Sequence, residues 1–372
     1  MVVKRSYIKH NSKPIYLPQD MRLIYGFPQP TSSKITVAVA SFGGGLYGTF
    51  NNGKLVSGDI ITYGKSIHVN PNVYFISVDG GINDTTDYES SCENTIDIEQ
   101  IIASCPSNNL VIKLFVGTQN TSFQTMISTI LQTSPDIISI SWGCPEMDII
   151  DDALATNELF KKATSMGINI CVATGDNGSS DGTSYNNMCD FPSSSPYVIA
   201  CGGTSLTCPT KQYDKRTIEK AWADGGGAVS HIFKKMTYQN TINSVMRCTP
   251  DIAMNADPLT GVSYLVNGSY IVVGGTSIVA PSMAGLLACL CYKQFILPKL
   301  YSVNSSCYHD IITGSNGQYS ASKGYDKCTG LGSINGNIFS SSIIQTIKIV
   351  KKSIVQQNIL QSPIPTKMKM CI

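Results

Sequence analysis

Short apolar runs alternate with amphipathic helical segments from Lys34 to Gly175, and few folds accommodate that alternation. KITVAVASF (34–42), NVYFISV (72–78), LVIKLFV (110–116), DIISISWG (136–143) and INICVATG (168–175) read as strands. Between them CENTIDIEQIIASC (92–105), SFQTMISTILQTS (122–134) and DALATNELFKKATSMG (152–167) carry apolar residues at helical spacing. Strands separated by helices in this way predict an α/β chain with a doubly wound, mostly parallel sheet.

The chain has 372 residues, enough to bury a substantial core. Charged residues make up only 14% and the net charge is +2, so no strong field draws nucleic acid or a membrane surface. No segment approaches the roughly 18 uninterrupted apolar residues of a membrane span. Residues 1–15 form a polar, basic lead, 16–345 the folded domain, and 346–372 a polar tail. The lead lacks the apolar core of a secretory signal, which favours the cytoplasm, or association with a virion or vacuole, over classical secretion. The 13 cysteines form no repeated CxxC pair, so zinc is not indicated and mostly reduced thiols are expected. Cys289 and Cys291, in an apolar helical run, read as buried thiols.

GGTSIVAPSMAGLLACLCYKQ (274–294) is the strongest local signal. A Gly-Gly-Thr-Ser turn follows the apolar strand YIVV (270–273), and Pro281 is acceptable in the first turn of the helix beyond it. That geometry sets the Ser277 hydroxyl at a helix N-terminus, where developing negative charge is favoured. A simple helix cap explains the same residues. A nucleophilic serine needs a base. None of the four histidines, His10, His68, His231 and His309, lies where an ordinary Ser-His-Asp arrangement would need it.

Carboxylates remain. Glu93 and Asp97 are spaced i, i+4 on a predicted helix and share one face. Such a pair is unfavourable unless it shares a proton or faces a partner; on its own, the spacing also describes a solvated acidic face. Asp176 follows a buried strand between Gly175 and Gly178, at a strand end where open α/β sheets carry functional loops, although a turn aspartate reads the same.

Taken together, ENTIDIEQ (93–100), SISWGCPE (139–146), ATGDNGSSDG (173–182), DFPSSSPYVIACGGT (190–204), PDIAMNADPLTG (250–261) and GGTSIVAP (274–281) resemble the sedolisins, the serine-carboxyl peptidases with a subtilisin-like fold. The match is to a catalytic domain of the kumamolisin and sedolisin type without its propeptide, and it runs from about Tyr16 to Phe339. The resemblance implies Ser277 as nucleophile and Glu93 as its general base. Asp97 would share the proton load of Glu93, and Asp176 would sit in the oxyanion hole beside the Ser277 N–H. A protonated Asp176 can donate to an oxyanion, and a glutamate base stays usable in acid, so activity at acidic pH is expected.

The resemblance also implies one structural calcium ion in a C-terminal loop. Carboxylates of Asp310 and Asp326 and main-chain oxygens of Ile311, Ser322 and Gly324 would hold it, an all-oxygen set suited to that ion. Ser322 stands where the family commonly has glycine. Ser41 stands where many members carry an acid, which shortens any outer proton network. The implied partners are protein or peptide substrates, with no nucleic acid and no membrane, and a monomer is expected. The sequence leaves endopeptidase and tripeptidyl-peptidase action open. The alternative is a catalytically silent sedolisin-like binding or scaffold protein; a His-dependent hydrolase is disfavoured, because a suitable histidine or a suitable G-x-S-x-G elbow is lacking.

Overall fold

A computed structural model describes residues 16–344. The expected lead, 1–15, and the expected tail, 346–372, lie outside the described residues.

Ten strands form the central sheet. In chain order they are β1 (Ile35–Ser41), β2 (Gly48–Asn51), β3 (Lys54–Gly58), β4 (Asn72–Ser77), β5 (Leu110–Val116), β6 (Ile137–Ile140), β7 (Asn169–Ala173), β8 (Ile199–Thr207), β9 (Ile218–Ala221) and β10 (Ile252–Asn255). Their spatial order is β9-β8-β7-β6-β1-β5-β4-β3-β2, with β10 also pairing to β8. The pairs β4–β5, β5–β1, β1–β6, β6–β7, β7–β8 and β8–β10 are parallel. Antiparallel strands β9 and β2–β3 finish the two edges. The doubly wound expectation holds. The β2–β3 hairpin was not legible as strands, because its residues are mostly exposed and carry no apolar alternation.

Six helices are needed to describe the layers: α1 (Pro18–Ile24), α2 (Asp59–Ser66), α3 (Tyr88–Ser104), α4 (Phe123–Gln132), α5 (Ile150–Ser165) and α6 (Val279–Leu290). The α3 and α6 helices pack together on one face of the sheet, in a core with Ile98, Ile101, Met283 and Leu287. Helices α4 and α5 cover the other, with Phe123, Ile127, Phe160 and Ala163. Each face therefore has its own apolar layer, as a parallel sheet requires.

Helix α3 begins four residues earlier than the apolar pattern suggests. Asp87 caps it by accepting the Ser90 N–H at 3.2 Å, and Pro106, just past its C-cap Cys105, cannot continue it. Every residue from Ser90 to Ser104 is buried, polar ones included. Helix α6 is buried along its whole length and ends at Cys291 in the left-handed conformation, with φ 49°. Cys291 thus terminates the helix and is half-buried, whereas Cys289 is buried as expected. The two helices approach closely because Gly285 has no Cβ: one built there would lie 2.3 Å from the Ser104 Cβ. A last hairpin, β11 (Val262–Val266) and β12 (Ser269–Val273), packs on α3 and runs directly into the Gly274-Gly275 turn.

Candidate active site

The carboxyl ends of the parallel strands lie together, where loops of such sheets carry function. Strand β6 delivers Ser141, one residue past its end, and β7 delivers Asp176 three residues past its end. Behind them α3 supplies Glu93 and Asp97, and the hairpin supplies Ser277. All four expected catalytic side chains are shielded: Glu93 and Asp97 are 0% exposed, Ser277 3% and Asp176 9%. The solvated acidic face that i, i+4 spacing also allowed is therefore excluded.

Ser277 sits in a 3-10 turn, Thr276–Ile278, that leads into α6. Gly275 begins the turn with φ 130°, a backbone that side chains rarely adopt. A Cβ there would also stand 2.8 Å from Asp176 Oδ2, so glycine is required twice over. Asp176 Oδ1 accepts the Thr276 N–H and the Thr276 hydroxyl, each at 2.8 Å. This ties the expected oxyanion aspartate to the residue preceding the serine. The Ser277 Oγ is buried and makes no hydrogen bond among the described residues. Nucleophile and base contacts of this type often tighten only when substrate is bound.

Helix α3 packs against this serine turn as well as against α6. Two ionised carboxylates sealed there would each cost roughly several kcal/mol. Asp97 accordingly holds its proton well above the usual carboxylate range. Burial is the largest cause, the charge of Glu93 adds to it, and a hydrogen bond from Ser141 opposes both. That bond runs from Ser141 Oγ to Asp97 Oδ1 at 2.6 Å. Ser141 lies within a motif that carried the resemblance, but its role as the partner of Asp97 was not read from the sequence. Its position just after a buried strand was the available signal.

Two more residues of this wall escaped sequence reading. Glu99 is 0% exposed and accepts the Leu265 N–H at 3.1 Å, fastening α3 to the hairpin. Tyr264, also buried, donates to Gln100 Oε1 at 2.7 Å and lies within the electrostatic reach of Glu99, Asp97 and Glu93. No described histidine takes the place of the carboxylates. His68 is exposed, His231 bonds to Asn187, and His309 stacks on Tyr213 with ring centroids 3.5 Å apart. Ser41 keeps its hydroxyl on the Gly43 carbonyl at 2.9 Å.

Of the expected calcium ligands, the two aspartates face one turn. Both oxygens of Asp310 accept the Gly324 N–H, at 3.2 and 3.1 Å, and Asp326 Oδ2 accepts the Ser322 N–H at 3.0 Å. Both aspartates thus frame the turn 322–326, with Ile311 buried beside Asp310. Burial raises the Asp326 carboxyl, although four hydrogen bonds from Ser322, Cys328 and Thr329 act against it. A buried carboxylate in an all-oxygen set is the kind of group that a hard cation offsets, so the residues fit calcium chemically. No cluster of three or more His, Cys, Asp or Glu able to hold a metal occurs among the described residues. None of the twelve described cysteines is in a disulfide. No described helix is long and apolar enough to cross a membrane.

Comparison with known proteins agrees with this fold. The model of the subtilase family, Peptidase S8, matches residues 51–298. Kumamolisin of Bacillus sp. (strain MN-32) is 34% identical over 352 residues, covering 86% of this chain and 62% of its own. Sedolisin of Pseudomonas sp. (strain 101) is 29% identical over 287 residues, with 67% and 48% covered. Tripeptidyl-peptidase 1 of Canis lupus familiaris is 27% identical over 242 residues, with 54% and 42% covered. The chain therefore spans 62% of the length of the first of these relatives and less of the others. Among solved structures, a Pseudomonas sedolisin (serine-carboxyl proteinase) complexed with two molecules of pseudo-iodotyrostatin superposes with a TM-score of 0.78. It is 24% identical, and 90% of this chain and 99% of that one are covered, which establishes the shared fold.

Proposed function

Because the chain belongs to the sedolisin family of subtilisin-like peptidases, we propose that it is a serine-carboxyl endopeptidase acting through an acyl-enzyme on Ser277 at acidic pH. The observation that carries this reading is the tie between Asp176 and Thr276. With Oδ1 committed as acceptor of two hydrogen bonds, a proton on Asp176 belongs on Oδ2, where it serves as a donor.

In this mechanism Ser277 Oγ attacks the scissile carbonyl carbon while Glu93 takes the hydroxyl proton. The carbonyl oxygen becomes an oxyanion, stabilised by Asp176 and the Ser277 N–H. An oxyanion donor of this kind contributes roughly 10²–10³ in rate. Glu93 then returns the proton to the leaving amine as the C–N bond breaks, leaving an ester on Ser277. Water, deprotonated by Glu93, attacks that ester, and Glu93 returns the proton to Ser277 Oγ as the C–O bond breaks and the acid is released. Asp97, held protonated by burial and steadied by Ser141, keeps a second negative charge away from Glu93 in acid.

Calcium would supply positive charge to the 310–326 loops, held by Asp310, Asp326 and the carbonyls of Ile311, Ser322 and Gly324. The substrates are proteins or peptides, and the folded unit is a monomer.

Labelling with a serine-directed phosphonate tests the reading. Wild type should be modified at Ser277, and Glu93→Gln should react slower by orders of magnitude. A folded wild type that takes no label at Ser277 would sink it. A digest of a peptide library then separates internal cleavage from release of N-terminal tripeptides; tripeptide release alone would reject the endopeptidase assignment.

A further inference from the structure

Three loops that are remote in sequence meet at one buried amide. Asn316, 2% exposed, directs its Nδ2 to the carbonyls of Gly225 at 3.2 Å, Gly227 at 3.0 Å and Lys327 at 3.3 Å. An amide nitrogen has two protons, so at least one of these contacts shares a proton. Its backbone oxygen accepts the Ser179 N–H at 2.8 Å, and two residues on, the Gln318 N–H reaches Ser179 Oγ at 2.9 Å.

The glycine loop that Asn316 holds grips the other side of the same turn. Asp224 O accepts the Gly178 N–H and Gly175 O accepts the Gly226 N–H, both at 2.8 Å. Gly226 O in turn accepts the Thr174 hydroxyl at 2.8 Å. A Cβ on Gly178 would lie 2.7 Å from Asn316 O, so the two backbones are in direct contact. The segment Thr174–Ser180, which carries Asp176, is therefore clamped from both sides by groups that Asn316 organises.

We infer that Asn316 is a positioning residue for Asp176. It fixes the 174–180 turn so that the Asp176 carboxyl keeps its two bonds to Thr276 and presents its other oxygen to the oxyanion. This rests on the role proposed above for Asp176. A plain loop staple would affect stability only; a positioning residue acts on the chemical step, where a misplacement of about 1 Å costs roughly 10²-fold.

The test is a double-mutant cycle on the full chain, read at a temperature where each variant is folded. Asn316→Ala should lower kcat roughly 10- to 100-fold with KM little changed. In an Asp176→Ala background the same substitution should cost almost nothing further, because the group it positions is gone. Hydrogen exchange of peptide 174–181 should quicken in Asn316→Ala while that of strands β1 and β5 does not. Should Asn316→Ala fail to fold, Ser179→Ala, which removes only the Gln318 contact, carries the same cycle with a smaller expected loss. Unchanged kcat at a lowered melting temperature, or equal losses in both backgrounds, overturns the inference while leaving the peptidase reading intact. Full kcat in Asp176→Ala alone would instead remove the oxyanion reading, and the positioning role with it.

Discussion

Ser141 and Asp97, 44 residues apart in sequence, share a 2.6 Å hydrogen bond with both side chains at 0% exposure. The bond joins a strand end of the sheet to the helix that packs on the serine turn. It fixes one oxygen of Asp97 as an acceptor, so the proton that burial keeps on this carboxyl sits on the other.

Loss of either acid should therefore remove chemistry and spare the fold. Glu93→Ala and Asp97→Ala should each lower kcat by roughly 10²–10⁴. Their melting temperatures should stay near that of wild type, since a buried carboxyl that must be neutralised adds little net stability. Asp97→Asn, which still accepts from Ser141, should be less impaired than Asp97→Ala. Most activity surviving in Glu93→Ala, measured on a peptide substrate, would exclude a carboxylate base.

Calcium should stabilise the folded chain by mass action, because the unfolded chain offers no preformed site. A chelator should lower the melting temperature of wild type, and added calcium should restore it. Asp326→Ala should be insensitive to both, and so should Asp310→Ala if the two aspartates act as one site. A melting curve indifferent to chelator and calcium in wild type would discard the ion.

Stability itself should favour acid. Burial raises the carboxyls of Asp97, Glu99, Glu146 and Glu219, with Glu219 raised despite hydrogen bonds from Ser333, Thr204, Tyr25 and Tyr213. In the unfolded chain such groups ionise near roughly pH 4. Above that value the folded state binds more protons than the unfolded one. The stabilisation is thus complete below the unfolded pKa and drains away as pH rises through the folded values. The exposed Asp84 and Asp214, which are lowered, act the other way but weakly, being screened by solvent. Calorimetry should show the melting temperature falling from about pH 4 towards neutrality, with a shallower fall in Glu99→Gln, which keeps an acceptor for Leu265 and cannot ionise. A melting temperature that rises over this interval contradicts the assignment.

The sheet and most of its helices could be read from apolar periodicity, because continuous strands and their crossover helices leave a strong pattern. Helix α3 could be read only in part. Glu93, Asn94, Asp97, Glu99 and Gln100 make it look amphipathic, yet the hairpin, α6 and the Gly43–Gly45 loop cover every side. That covering is tertiary and leaves no trace in the spacing. The start of the helix was missed because Asp87 and Tyr88 precede the apolar repeat, although the Asp87 cap was there to be found. The candidate acids were visible as residue types, and their union with Ser277 came from resemblance. Ser141, Glu99 and Asn316 act through long-range hydrogen bonds, which a single sequence does not encode locally. Buried Arg247, paired with Asp251 at 2.5 Å, is a further case: nothing around it in sequence distinguishes it from a surface cation.

In the proposed mechanism, the pH dependence of turnover follows from two carboxyls that must be protonated while a third is not. Glu93 has to accept the Ser277 proton, Asp97 has to stay neutral beside it, and Asp176 has to retain the proton it offers to the oxyanion. Burial and the neighbouring Glu93 raise the Asp97 carboxyl, so it stays protonated well above the usual carboxylate range and loses its proton only as pH rises through the folded value. The rate should consequently peak below neutrality and fall on the alkaline side as these protons are lost. Asp176→Asn replaces the titrating donor with a permanent one, provided that its carbonyl keeps the bonds from Thr276 and its amide faces the oxyanion. Its remaining activity should be lower than that of wild type at the optimum and decline less steeply with rising pH. Asp97→Asn, permanently neutral, should flatten the same limb by removing the other proton. Profiles of kcat for the three proteins decide the matter: a wild-type optimum above neutrality, or an alkaline limb that neither substitution alters, would reject protonated carboxyls as the basis of the mechanism.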